Sequence, residues 1–310
     1  MGLGILCPGQ GSQNPGMLEI LADNETAGPV LSEAGRRLGR TLAELVSHPE
    51  DSHRNRLAQP LLCAAQVATW MALRDRLPTP RLFAGYSVGE LAAYGCADAL
   101  SPEELVALAE QRAVLMDTAS ETAGTLVTVR GLTRQQIESL CQEFGADVAI
   151  INGFDRYVIG LTAESVAEFR NAVAGLGGGS HTLPVGVAAH THWMEPACRA
   201  FRTLLEDSNM RDPAIPVLSG VDALAVSKRS GAIDALSRQI ANTIDWSACL
   251  EMLIEHGCNV LLELGPGTTL TRIVHDTFPD LAVRSVAEFR SLPAVALWVE
   301  KAGRRFTGNR

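Results

Sequence analysis

RLFAGYSVGELAAYG (81–95) runs from a short apolar stretch into a serine between glycines and on into an alanine-rich segment. An apolar run of that length, closed by small residues, reads as a buried strand, and the residues after it favour a helix. Gly85, Ser87 and Gly89 fit G-x-S-x-G at this strand-to-helix corner, the layout of a nucleophile elbow. Such a corner lifts the hydroxyl clear of the backbone and sets it at the positive end of a helix, where developing negative charge is stabilised. The same glycines equally allow a helix to pack closely on a strand. The rest of the chain has to supply a base for the serine and a group that selects its substrate.

The bulk of the sequence bounds the answer. With 310 residues, 46% hydrophobic and 20% charged, the chain has the material for a large core, as one main domain with an insertion or as two domains. A net charge of −9 and the lack of a dense Lys/Arg run argue against nucleic acid as a partner. The basic KAGRRFTGNR (301–310) reads as a solvated tail. Seven cysteines, an odd number without a CxxC pair, favour a reducing compartment over a disulfide framework. The first residues lack the layout of a signal peptide, and no apolar run approaches the roughly 18 residues of a membrane span. A cytoplasmic location is expected, with no membrane partner. No His/Cys/carboxylate cluster has metal-ligand spacing, so neither a metal nor a resident cofactor is expected.

Outward from the elbow the pattern is α/β. GLGILC (2–7) and RLFAGYS (81–87) read as strands, PLLCAAQVATWMALRDRL (60–77) as a helix opened by proline, and SPEELVALAEQRAVLMDTA (101–119) as a serine-capped helix. The segment that follows alternates differently. Strands at 125–131, 147–153, 156–162 and 180–187 and helices at 133–145 and 164–179 give the order βαββαβ of a ferredoxin-like unit. GLGGGS (175–180) lacks a following Lys-Ser/Thr and reads as a helix end, not a phosphate cradle. Strands at 215–221, 259–265 and 281–287, separated by helices, then resume a parallel sheet covered on both faces. The expected domains are 1–122 with 190–310 as the core and 123–189 as the insertion.

A serine hydroxyl needs a base. Of seven histidines, His48 and His53 lie in a charged stretch, and His256 and His275 late in helices. His190 and His192, in PVGVAAHTHWMEPA, stand where the chain returns from the insertion. His190, which ends the small-residue run, is the better placed base, and His192 is left as a pocket or helix-start residue.

PGQGSQ (8–13), GYSVGE (85–90), QRAVLM (111–116), VAAHTHWM (187–194) and LELGPGTTL (262–270) occur in the order and approximate spacing of the malonyl-CoA:acyl carrier protein transacylases. The resemblance spans nearly the whole chain. It implies an α/β-hydrolase-like core with a parallel sheet and an inserted ferredoxin-like domain. It implies Ser87 as the acylated nucleophile, His190 as its base, and the backbone amides of Gln10 and Val88 as an oxyanion hole. Arg112 takes the place of the arginine that grips the substrate carboxylate, and Gln59 matches a position lining the site. The histidine is expected to be oriented by a backbone carbonyl at Asp245, where the family usually has glutamine or asparagine. The alternative role for Asp245 is a cap for the helix starting at Trp246. Tyr86 replaces the family's usual histidine. With AEFRSLPAV (287–295), it makes the chain resemble the malonate decarboxylase epsilon subunit, a malonyltransferase that loads a dedicated carrier subunit. The implied partners are a coenzyme A thioester and, as the main reading, that carrier subunit; the alternative is an acyl carrier protein of fatty-acid or polyketide synthesis. A serine esterase or thioesterase shares the elbow, but Arg112, PGQGSQ and the insertion argue against it.

Overall fold

Eleven strands occur among the described residues, which are 2–120 and 124–307 of a computed structural model. They are β1 (Leu3–Cys7), β2 (Leu82–Gly85), β3 (Gly124–Arg130), β4 (Asp147–Gly153), β5 (Arg156–Thr162), β6 (Gly179–Thr182), β7 (Val217–Leu218), β8 (Ala225–Val226), β9 (Ile244–Asp245), β10 (Val260–Glu263) and β11 (Ala282–Ser285). The first sheet has the order β11-β10-β1-β2-β7-β8, parallel throughout except for the β7–β8 pair. Every residue of β1, β2 and β10 is buried, as a strand covered on both faces requires. The core packed around this sheet takes in Ile5, Phe83, Leu91, Trp246 and Leu262.

The second sheet has the order β6-β3-β5-β4-β9, antiparallel except where β9 joins β4. Strand alternation gives it two faces. Val127, Val129, Ile159 and Leu161 pack against Ile137 and Phe169 of helices Arg134–Phe144 and Val166–Gly175 in a core of their own. The opposite residues Leu126, Ile150 and Val158 belong to the main core. β9 comes from beyond residue 190, and Thr243 Oγ1 donates to Val148 O at 2.7 Å. The second sheet is therefore completed by a strand from beyond residue 190 and is not confined to 123–189. The expected boundary at 122 and 123 lies outside the described residues.

Several sequence expectations are corrected. The helix expected to open at Pro60 is Asn55–Leu73, with Pro60 inside it. Proline there removes one backbone hydrogen bond near the helix start, and the polar first turn hides the true beginning. The strand expected over 180–187 ends at Thr182, two residues before Pro184, and that over 215–221 is only Val217–Leu218. The basic stretch expected as a tail begins inside helix Leu292–Thr307; residues 308–310 lie outside the described residues. All seven cysteines are unpaired. No described helix is long and apolar enough to cross a membrane.

Candidate active site

The elbow forms because β2 must turn directly into helix Val88–Cys96. Ser87 takes φ 57° and ψ −121°, a backbone conformation that costs an L-residue about 1–3 kcal/mol. Its two glycines are demanded by close approach. A Cβ on Gly85 would sit 2.2 Å from Glu90 Cα, and one on Gly89 would sit 2.0 Å from Cys7 O at the end of β1. The packing role of the glycines and the exposure of the serine are thus one device.

His190 follows Ala188 and Ala189 at φ 65° and is 2% exposed. Its backbone N–H donates to Ile240 O at 2.9 Å, which sets the imidazole beside residue 239. Nδ1–H donates to the backbone oxygen of Gln239, leaving Nε2 to accept from Ser87 Oγ–H at 2.8 Å. Burial, then the nearby Arg112 charge, push the imidazole down to about 3, so it is neutral and able to take a proton from the hydroxyl.

The carbonyl facing His190 is therefore that of Gln239, and the expectation for Asp245 is corrected. Asp245 is held elsewhere: its N–H donates to Gly220 O at 2.8 Å, and its carboxylate caps helix Trp246–Glu255 by accepting from Ala248 N–H at 2.9 Å. Only the capping role remains. Gln239, which the sequence reading missed, is the kind of residue that the resemblance calls for, six positions before Asp245. His192 is turned outward, with its Nδ1 2.7 Å from Asp147 Oδ2.

Arg112, on helix Pro102–Ala119, is 1% exposed. Its neighbours on the helix have other partners: Glu110 pairs with Arg37, and Asp117 accepts from Asn55. Arg112 Nη1 donates to Gln59 Oε1 at 2.7 Å and Nη2 to Gln239 Oε1 at 3.0 Å, while Nε has no partner. Among the described residues no carboxylate lies within ion-pair distance of it. Burial lowers the guanidinium to about 10, although Cys63 and Glu90 oppose the shift.

Gln59 also donates to Asn55 Oδ1 at 2.6 Å, and its Nε2 lies 3.6 Å from Met116 Sδ. Met116 lines a cavity of about 1170 Å³, behind whose wall Arg112 and Gln59 lie. Gln10, Tyr86, Ser87 and His190 form one side of this cavity, and Leu126, Ile150 and Val158 of the second sheet form another. Gln10 lies in the turn after β1 and lines the cavity with Ser87, and Val88 begins the helix. The Tyr86 ring packs edge-on against Trp246, with centroids 5.4 Å apart. No group of three His, Cys, Asp or Glu side chains among the described residues has the arrangement to hold a metal.

An elbow serine hydrogen-bonded to a neutral histidine, beside a buried arginine, is an arrangement suited to acyl chemistry on a carboxylated substrate. The chain belongs to the acyl transferase domain family, whose model matches residues 5–299. It is 32% identical over 305 residues to the malonyl CoA-acyl carrier protein transacylase of Haemophilus influenzae, covering 94% of this chain and 97% of that protein. An acyl carrier protein S-malonyltransferase from Vibrio cholerae superposes with a TM-score of 0.88 at 31% identity, over 95% of this chain and 100% of that one. A malonyl-transacylase solved with its type II PKS acyl-carrier protein gives a TM-score of 0.91 at 30% identity, over 96% and 99% of the two chains.

Proposed function

We propose that this protein is a malonyltransferase that carries malonyl from coenzyme A, through an ester on Ser87, to the thiol of an acyl carrier protein. The observation that carries the reading is Arg112, a buried cation held by two amide oxygens, with no carboxylate within ion-pair distance among the described residues. Such a charge is stabilised by an anionic ligand, and the free carboxylate of malonyl supplies one where acetyl does not.

In the proposed reaction His190 Nε2 takes the proton as Ser87 Oγ attacks the thioester carbon. The amides of Gln10 and Val88 face the oxygen that becomes negative. The C–S bond breaks, and the departing thiolate receives the proton from His190. The carrier thiol then gives its proton to His190 and attacks the seryl ester; the acyl C–Oγ bond breaks, and Ser87 Oγ recovers the proton from His190. The residues 123–189 are read as a ferredoxin-like insertion in an α/β-hydrolase-like core, a reading supported by the order β6-β3-β5-β4. Its Leu126, Ile150 and Val158 give the cavity an apolar wall that disfavours water as the acceptor.

The relatives described above support an acyl carrier protein of fatty-acid or polyketide synthesis as the acceptor. The carrier subunit of malonate decarboxylase is a second reading, resting on Tyr86 and residues 287–295 alone. Incubation with malonyl-CoA, followed by intact-mass analysis, tests the main reading. A lasting malonyl adduct on Ser87 that moves to added holo acyl carrier protein is expected. Rapid release of free malonate indicates a hydrolase, and no adduct refutes acyl transfer. Offering both carriers in parallel decides between the acceptors.

A further inference from the structure

We propose that Glu90 is a positioning residue for this site, acting through the side-chain amide of Gln239. The inference rests on the function proposed above and names a residue that the reaction itself does not use.

Glu90 stands three residues after Ser87 in the first turn of the elbow helix, so its carboxyl group lies beneath the nucleophile with no exposed surface. Its Oε2 accepts from Gly220 N–H at 3.0 Å and from Gln239 Nε2 at 3.3 Å. The same Nε2 donates to Ser87 O at 3.0 Å. Gln239 is thereby joined to all three groups of the site. Its amide nitrogen reaches the serine backbone, its amide oxygen reaches Arg112, and its main-chain oxygen reaches His190.

The chemistry of an amide explains what Glu90 contributes. A glutamine side chain presents an acceptor at one end and donors at the other, and rotation by half a turn exchanges them. Arg112 only donates, so it needs the oxygen. Glu90 Oε2 and Ser87 O both accept, so they hold the nitrogen on the opposite side. Without Glu90, one of the two acceptors enforcing that choice is gone, and a flipped amide would set N–H against N–H at Arg112. Burial pushes the Glu90 carboxyl group up to about 8, and Oε2 accepts in either charge state. A glutamine at position 90 supplies the same acceptor.

The test compares wild type with E90A, E90Q, Q239A and the E90A/Q239A double variant. Rates are expressed per serine that can be titrated, which removes any unfolded fraction. With E90A, the acylation rate from malonyl-CoA and the preference for malonyl-CoA over acetyl-CoA are each expected to fall about tenfold, the effect of one lost buried hydrogen bond. E90Q restores both to within about threefold of wild type, and the double variant is no worse than Q239A, since coupled residues are not additive. Should E90A fail to fold, E90L fills the same space without an acceptor and carries the same expectation. Wild-type rates and preference in E90A or E90L overturn the proposal, as does an E90Q no better than E90A. The labelling rate of Ser87 with a fluorophosphonate is measured on the same proteins. If wild type transfers no malonyl, the functional reading fails, while an unchanged labelling rate in E90A or E90L separately refutes the positioning role.

Discussion

Gln239 accepts a hydrogen bond from Arg112 Nη2 at 3.0 Å through its side chain, while its backbone oxygen accepts from Nδ1 of His190. One residue thus links the group proposed to select the substrate to the group proposed to move the proton. The two are also coupled electrostatically, because the Arg112 charge helps to hold the imidazole neutral.

Arg112→Ala removes the cation behind the cavity wall. Malonyl transfer is expected to fall by about two to four decades, matching the roughly 3–5 kcal/mol cost of breaking a buried charge pair from one side. Transfer of acetyl should be little changed. Kinetics with malonyl-CoA and acetyl-CoA check this, and a variant that keeps full preference for malonyl refutes the role of Arg112.

The depressed His190 imidazole sets the pH dependence. Malonyl transfer by the free enzyme should show no acid limb near the ordinary histidine value, because the ring stays neutral down to about 3. In the unfolded chain His190 takes up a proton below about 6.5. Its contribution to stability is therefore complete above that value and declines as pH falls toward 3. Profiles of kcat/KM and urea unfolding against pH measure the two effects. An acid limb at an unperturbed histidine value contradicts the buried, neutral state.

Glu90 behaves in the opposite sense. Burial raises its carboxyl group to about 8, so its contribution to stability is present below the ordinary carboxylate value and is lost as pH rises through about 8. The stability of wild type relative to E90Q should decline over that window. A difference that grows with rising pH would show that Glu90 is buried as an anion.

Asp245→Ala separates capping from catalysis. The variant loses the bond to Ala248 N–H, and stability should fall by about 1 kcal/mol, as for the removal of a helix cap. kcat should be unchanged, since His190 is oriented from Gln239. A large fall in kcat at unchanged stability would return Asp245 to the site.

Gly89→Ala and Ser87→Gly test the elbow itself. The first places a methyl group against Cys7 O and should sharply reduce the yield of folded protein. The second relieves the strained φ at residue 87 and should raise the melting temperature while abolishing acylation. Thermal melts and adduct formation are the measurements.

Ser87 was legible because a nucleophile elbow is local. Strand, turn, glycines and helix lie within residues 82–96, and steric contacts between β1, β2 and the helix dictate the glycines. Arg112 and His190 were identified through ordered motifs, yet a helical arginine could equally have been a surface ion pair. The partner of His190 was misplaced at Asp245 because no local pattern marks which backbone carbonyl faces a side chain 49 residues away. Glu90 was not singled out at all. Its meaning depends on Gly220 and Gln239, more than a hundred residues further along.

From the amino-acid order alone came the alternation of strands and helices, the strained serine corner and the types of residue able to serve it, since these follow from short-range sterics and hydrophobic periodicity. Only the folded chain decided that Gln239 faces both Arg112 and His190, that β9 completes the second sheet, and that buried Arg112 is held by amide oxygens. Those features arise where segments distant in sequence meet, and burial there changes the charge and hydrogen-bonding state of each group.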